Sequence, residues 1–556
     1  MTSFDISSHN SPQFEMKSRR SPVYATSGMV ATSQPLATEA GLEMLRKGGT
    51  AADAAVAAAA ALAVLEPCST GLGGDSFALY YSAADKKIYA LNGSGKSSEN
   101  ISIELLNSKG ISGEIPPHSG LAVTTPGACA AWCDLALKFG SLNAGELFEP
   151  AIRYAENGFP VGPVTAWLWK QGAADALSLH PGGNSLLLNG HAPRTGEIFK
   201  NKNLAEMFKK LASGSFNDAK NEFYKGETSE KIVQAVLNAG GVLSRKDMAR
   251  HESLWCDPIG TVYRDRKVFE CPPNGQGLAA LLALGVLQNF SPEELGAPFS
   301  ARRLHIMIEA MRLGFADARR HITDPETYHI PLKTMLSAEY SSSRAELIDF
   351  YQANPCFKSG VPESSSDTVY FCTVDKFGNA CSMVSSVYME FGTGIVPDGL
   401  GFSLQNRGNN FSLDPEHPNA LAPGKRTYHT IIPGMMLRED NSLYGPFGVM
   451  GGFMQPQGHL QVVSAMCDDG ADPQKALDRL RFCISSGKAG GSVSLEHGID
   501  PGIINRLKDV GHEIHVSRGY GRTLFGRGQI IVRDPESGVL CGGCDPRSDG
   551  SVSGII

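Results

Sequence analysis

The chain has little that would tie it to a charged polymer or a membrane. Its 556 residues carry 50 Lys and Arg against 57 Asp and Glu, a net charge of -7, which argues against nucleic acid or anionic lipid as partner. The one candidate membrane run, Ala51 to Leu65, contains Asp53 and is too short and too weakly apolar to span a bilayer. Met1–Arg20 is polar and has no apolar core, so it reads as a disordered tail rather than a secretory signal. The 12 cysteines are scattered without the spacing of a disulfide framework, and reduced thiols in a cytoplasmic protein are expected. There is no HExxH pattern, no GxSxG nucleophile elbow and no internal repeat. No metal and no cofactor is therefore expected.

Glycine, by contrast, is plentiful at 62 residues and marks many turns. Periodicity near 3.6 predicts helices over much of 130–340, and Ala51–Leu65 reads as a helix buried in a close-packed core. Residues 353–367 form a polar connector, after which the chain turns strand-rich to about residue 450. Three parts follow: a tail at 1–23, a helix-rich segment at 24–367 ending in the connector, and a third at 368–556.

Two motifs are weak. Ala90–Ser97 is nearly a phosphate loop, but Ala90 replaces the first glycine and no helix follows directly. Cys541-Gly-Gly-Cys544 lacks a second ligand pair or a redox context.

The informative stretch is Asp367 to Ser386. It reads as a strand, a turn around Gly378-Asn379 and a second strand, with Thr368 opening the first. Folding symmetrically about Phe377-Gly378 puts Thr368 opposite Val387 and beside Ser386, with register free to slip by one. A threonine hydroxyl becomes a competent nucleophile when its own free α-amino group acts as base, which requires cleavage between Asp367 and Thr368. Further on, Gly451-Gly452 lies between a short apolar strand and a helix. Such a pair can offer backbone N–H groups to a developing oxyanion.

Together with Met29–Gly41, Gly48–Val56, Gly71–Asp75, Thr124–Gly127, Glu309–Asp317, Phe391–Val396 and Asp545–Ser548, these elements resemble the γ-glutamyltransferase family of N-terminal nucleophile hydrolases. The resemblance runs from about Tyr24 to Gly550. It implies an α+β fold, an αββα sandwich built from large and small subunits of one self-cleaved precursor. It further implies a scissile bond at Asp367–Thr368, Thr368 as nucleophile, Ser386 as its neighbouring hydroxyl, and Gly451 and Gly452 as oxyanion hole.

The departures concern substrate. Ser94, with Lys96 nearby, stands where the family places an arginine for the glutamyl α-carboxylate, and Asn410 replaces the aspartate that reads the α-amino group. His429-Thr430 replaces a serine pair, and Tyr388 an asparagine. Serine cannot substitute for a bidentate arginine. Arg407 adds a cation that can approach a carboxylate from another direction. This pattern resembles the acylase and oxamate amidohydrolase-like branch. The expectation is a threonine amidohydrolase acting on a small acyl or γ-glutamyl-like amide. The competing expectation is a true glutathione hydrolase or transferase holding the zwitterion with Lys96, Arg407 and His429. The segment from Phe411 to Lys425 is short for the family, which implies a reduced lid and an open site.

Overall fold

The computed structural model describes residues 20–354, 366–487 and 489–556. Most of the expected tail and of the connector lies outside them. Two seven-stranded antiparallel sheets form the centre. The first runs, in spatial order, Ser551–Ile555, Gly28–Thr32, Ser366–Val374, Ala380–Met389, Asp75–Ser82, Lys87–Gly93 and Leu254–Cys256. The second runs Val23–Ala25, Leu540–Cys544, Arg527–Arg533, Leu443–Met450, Gly434–Leu437, Arg266–Glu270 and Ile259–Tyr263. Each sheet takes strands from before and after Thr368.

Three apolar layers hold these sheets and their helices together. Between the sheets lie Met29, Phe77, Tyr370, Met435 and Ile531. Outside the first sheet, helices Pro35–Arg46, Ala51–Leu65 and Ala128–Phe139 bury one face of that sheet, with Ala144–Asn157 packed on the first two. Outside the second, Gly277–Gln288 and Met454–Asp469 do the same, with Ala301–His321 packed on both. The αββα sandwich is the expected one.

Ala51–Leu65 is helical over its expected span and buried at every position. Thr50 and Asp53 form a reciprocal capping box, and the Asp53 carboxylate also accepts from the amide and hydroxyl of Ser141, which makes a charge tolerable there. Small side chains let the preceding helix approach closely: a Cβ on Gly41 would meet the Ala54 carbonyl at 3.2 Å. No helix among the described residues is long and apolar enough to cross a membrane.

One expectation is extended and one is corrected. The stretch 130–340 also carries strands Leu254–Cys256, Ile259–Tyr263 and Arg266–Glu270, each too short for its alternation to stand out beside long helices. Residues 390–433, expected to be strand-rich, form mainly buried irregular chain. Its backbone is satisfied loop to loop, as in Thr393 N–H to Leu404 O and Gln405 N–H to Gly73 O.

Candidate active site

The hairpin forms, with its register one residue from the symmetric expectation. Val374 faces Ala380 and Val369 faces Ser385, so the pairing centres on Phe377. Asp375 causes this by closing a five-residue turn: its carboxylate accepts from the amides of Phe377 and Asn379, and Gly378 takes φ +83°. At the other end the register shifts between Asp367 and Val369, after which Asp367 faces Tyr388. The extra residue lies on the second strand, where Ser386 and Val387 together oppose Thr368. Bulges re-aim side chains, and here the Thr368 hydroxyl donates to Ser386 Oγ at 3.1 Å.

Thr368 does not open its strand in the uncut chain, because pairing continues through Ser366. Nor is the site open in this state: Thr368 and Ser386 have no exposed surface. The 411–425 segment is tied down, with Asn419 donating to the Asn410 carbonyl and Ser97 N–H to the Lys425 carbonyl.

Four neighbouring strands end in a row. Thr368 is followed by Ser386, then Asp75 directly opposite Ser386, then Gly93-Ser94. Ser94 is buried and bonded to Asn92 and Asn274. The Asp75 carboxylate accepts from Gly95 and Gly127 amides and from His429 Nε2 at 3.0 Å. His429 Nδ1 accepts from the Ile431 amide, which fixes the proton on Nε2. Both ring nitrogens are thus used inside the protein, and the ring packs on Phe77. Burial raises the Asp75 carboxyl to about 7, opposed by Arg407 and the two amides, while burial and Arg407 hold His429 well below its ordinary range.

Arg407 dominates the open end electrostatically. It is buried; Nη1 donates to Thr430 Oγ1 at 2.7 Å and Nη2 to Ser386 Oγ at 3.3 Å. Its guanidinium lies over the Tyr388 ring at 4.4 Å. Nε has no hydrogen-bond partner, and no described carboxylate is within ion-pair distance. Burial lowers its pKa to about 10, so it remains a cation at neutral pH. Tyr388 adopts φ +81°, held by its N–H on Ser386 Oγ and its hydroxyl on Asn410 Oδ1. Asn410 Nδ2 is buried and unpartnered.

Gly451 and Gly452 occupy the turn between Leu443–Met450 and Met454–Asp469, with φ +128° and +55°, values that favour glycine. Gln276 anchors the turn by donating to the Gly452 carbonyl at 2.8 Å. Arg527, beside it on the adjacent strand, donates to the Thr368 carbonyl at 3.4 Å.

Lys96 points elsewhere. It pairs with Glu326 at 2.6 Å and lines a separate cavity with Arg250, His251 and Arg426. Sequence reasoning missed Asp75, which lay inside a quoted motif, and Arg527, which carries no local signal. Among the described residues His305, Glu309 and His512 have a metal-type donor set within 4.8 Å. These donors already serve one another and their surroundings, His305 on His512 and the Asp349 carbonyl, Glu309 on the Asn354 amide and Arg312.

The description "Gamma-glutamyltranspeptidase" fits the chain over residues 37–555. The chain belongs to that family. Within the gamma-glutamyltranspeptidase family it is 35% identical to the glutathione hydrolase-like YwrD proenzyme of Bacillus subtilis, over 96% of this chain and 99% of that one. It is 32% identical to the oxamate amidohydrolase proenzyme of Klebsiella pneumoniae, over 95% and 99%. Among solved structures, cephalosporin acylase from Bacillus halodurans matches with a TM-score of 0.89 and 42% identity, covering 97% of this chain and 98% of the other. The protein is an enzyme of this family's hydrolase and acylase group.

Proposed function

We propose that the chain cuts itself between Asp367 and Thr368 and then works as a threonine amidohydrolase of large (24–367) and small (368–556) subunits. Thr368 Oγ1 attacks the Asp367 carbonyl, the peptide C–N bond breaks and releases the Thr368 α-amino group, and water hydrolyses the resulting ester to free the Thr368 hydroxyl and the Asp367 carboxylate. In turnover the same oxygen attacks a substrate amide while the amino group takes its proton. The oxyanion rests on the Gly451 and Gly452 amides, the amine leaves, and water releases the acyl group. The relatives' designation as proenzymes supports the processing step.

The observation that carries this reading is the Thr368–Ser386–Arg407 chain: a buried nucleophile hydroxyl 3.1 Å from a second hydroxyl, itself bonded to a buried guanidinium without a described counter-carboxylate. Only the Ser386 hydroxyl separates cation from nucleophile. That spacing suits a short acyl group ending in carboxylate, of the size of oxamate, with Ser94, Tyr388, Asn410 and Thr430 around it. A glutathione hydrolase reading would need Lys96 and His429 to hold a zwitterion, and both are committed elsewhere.

Intact-mass analysis of purified protein, followed by turnover of oxamate, glutaryl anilide and γ-glutamyl anilide, tests both halves. Two polypeptides with preference for an acyl group lacking the α-amino group are expected. A single 59.2 kDa species without amidase activity would overturn the proposal.

A further inference from the structure

Two charged residues outside this chemistry sit near the nucleophile, Arg527 on the second sheet and Glu66 at the end of the Ala51–Leu65 helix. Arg527 faces Met450 across the ladder, next to the Gly451 turn. It is buried; Nη2 donates to the Thr368 carbonyl at 3.4 Å, Nε to Met450 Sδ at 3.3 Å, and Nη1 lies 3.6 Å from Glu66 Oε2. Glu66 is buried as well, and its carboxylate accepts from the hydroxyls of Ser33 and Ser69. The Thr368 nitrogen and carbonyl belong to one residue, so standard backbone geometry keeps that nitrogen within about 7 Å of the guanidinium.

We propose that Arg527 is a positioning residue that keeps the freed Thr368 α-amino group neutral, and therefore basic, near neutral pH, with Glu66 as the counterweight that limits its effect. The inference rests on the reading of Thr368 as an N-terminal nucleophile. An unperturbed α-amino group titrates at about 7.7–8.0, so much of it would be protonated, and useless as a base, at pH 7. A neighbouring cation in a buried site disfavours a second positive charge far more than it would in solvent.

The described charged and titratable groups facing this corner are few. Arg527 with Glu66 stands on one side. Arg407, over Tyr388, reaches it through Ser386. Asp75 lies across the neighbouring strand, bonded to His429 and two amides. Arg527 bonds Thr368 itself, whereas Arg407 and Asp75 act through or beyond Ser386. It is therefore the stronger lever on the amine.

The sign follows. Activity needs the neutral amine, so lowering its pKa extends activity to lower pH. Removing Arg527 moves the acid limb up, and removing Glu66 moves it down. The test is the pH dependence of Thr368 acylation by a β-lactone probe, read by mass on the cleaved protein, which does not depend on knowing the substrate. Arg527→Gln should raise the acid limb by about one pH unit, and Glu66→Gln should lower it by about half a unit. Arg527→Lys should keep the limb near wild type even where the rate falls. A merely structural role would slow acylation without moving the limb.

Limbs that stay put, or that move in the same direction in the Arg527→Gln and Glu66→Gln variants, overturn the proposal. If Arg527→Gln fails to fold or to cut, Glu66→Gln alone decides. An uncut wild type removes the nucleophile reading together with this one. A cut wild type with unmoved limbs removes only this one.

Discussion

At the closed end of the Thr368 hairpin, the Asp375 carboxylate accepts from the amides of Phe377, Asn379 and Ala51 and from the Asn379 side chain. At the open end, Arg407 Nε and Asn410 Nδ2 are buried with no hydrogen-bond partner, and Tyr388 takes a backbone conformation unusual for a bulky residue. The same two strands thus end once in satisfied polar groups and once in unsatisfied ones. Buried polar groups left unpaired cost stability. Donors left unpaired at the end beside Thr368 are groups that a polar substrate could satisfy on binding.

Substitutions at each end sharpen that contrast. The largest effect belongs to Thr368→Ala, which should leave one uncut chain with amidase activity reduced below detection; a cut variant on a denaturing gel would show that the nucleophile is misassigned. Arg407→Met should follow, lowering kcat/KM for an anionic amide by about 100-fold, as expected when a charged hydrogen bond is lost, while a neutral amide changes far less. Equal losses on both substrates would mean that Arg407 only supports Ser386.

The closed end should respond in stability instead. Asp375→Ala, in the uncut Thr368→Ala background, strands four donors and should cost about 3 kcal/mol by urea denaturation. Acylation of the cleaved Asp375→Ala single variant should stay near wild type. The smallest expected effect is a pH dependence. Burial raises Asp75 to about 7, above its ordinary value, so its contribution is fully present below about pH 4 and is lost as pH rises through 7. In the uncut Thr368→Ala background, the chain that keeps Asp75 should lose about 2 kcal/mol relative to Asp75→Asn between pH 5 and 8. A constant difference would mean that Asp75 does not titrate there.

Much of this contrast was legible in the sequence. β-Branched residues and a Gly-Asn turn announce the hairpin, and length alone brings Ser386 beside Thr368. The one-residue register error came from Asp375, whose side chain lengthens the turn in a way that strand propensity does not register. Lys96 was misplaced for a related reason. Gly95 presses against the Thr125 carbonyl, where an added Cβ would overlap it, so the chain leaves the sheet after Gly93 and strand alternation no longer says where side chains point. Arg527, Glu66 and the Asp75–His429 pair reach the site across 159 to 354 positions of sequence or through a third residue, and no local pattern encodes such meetings.

The interleaving of the two sheets has a consequence for the life history of the molecule. Strands from both sides of residue 368 pair within each sheet, so an intact chain assembles them by closing loops on itself. After the proposed cleavage the same pairings would join two polypeptides, and unfolding would turn every such closure into an encounter dependent on concentration. The mature form should accordingly be unable to repair itself after heating to the extent its precursor can. It is an object assembled once, whose durability is set by how slowly it comes apart.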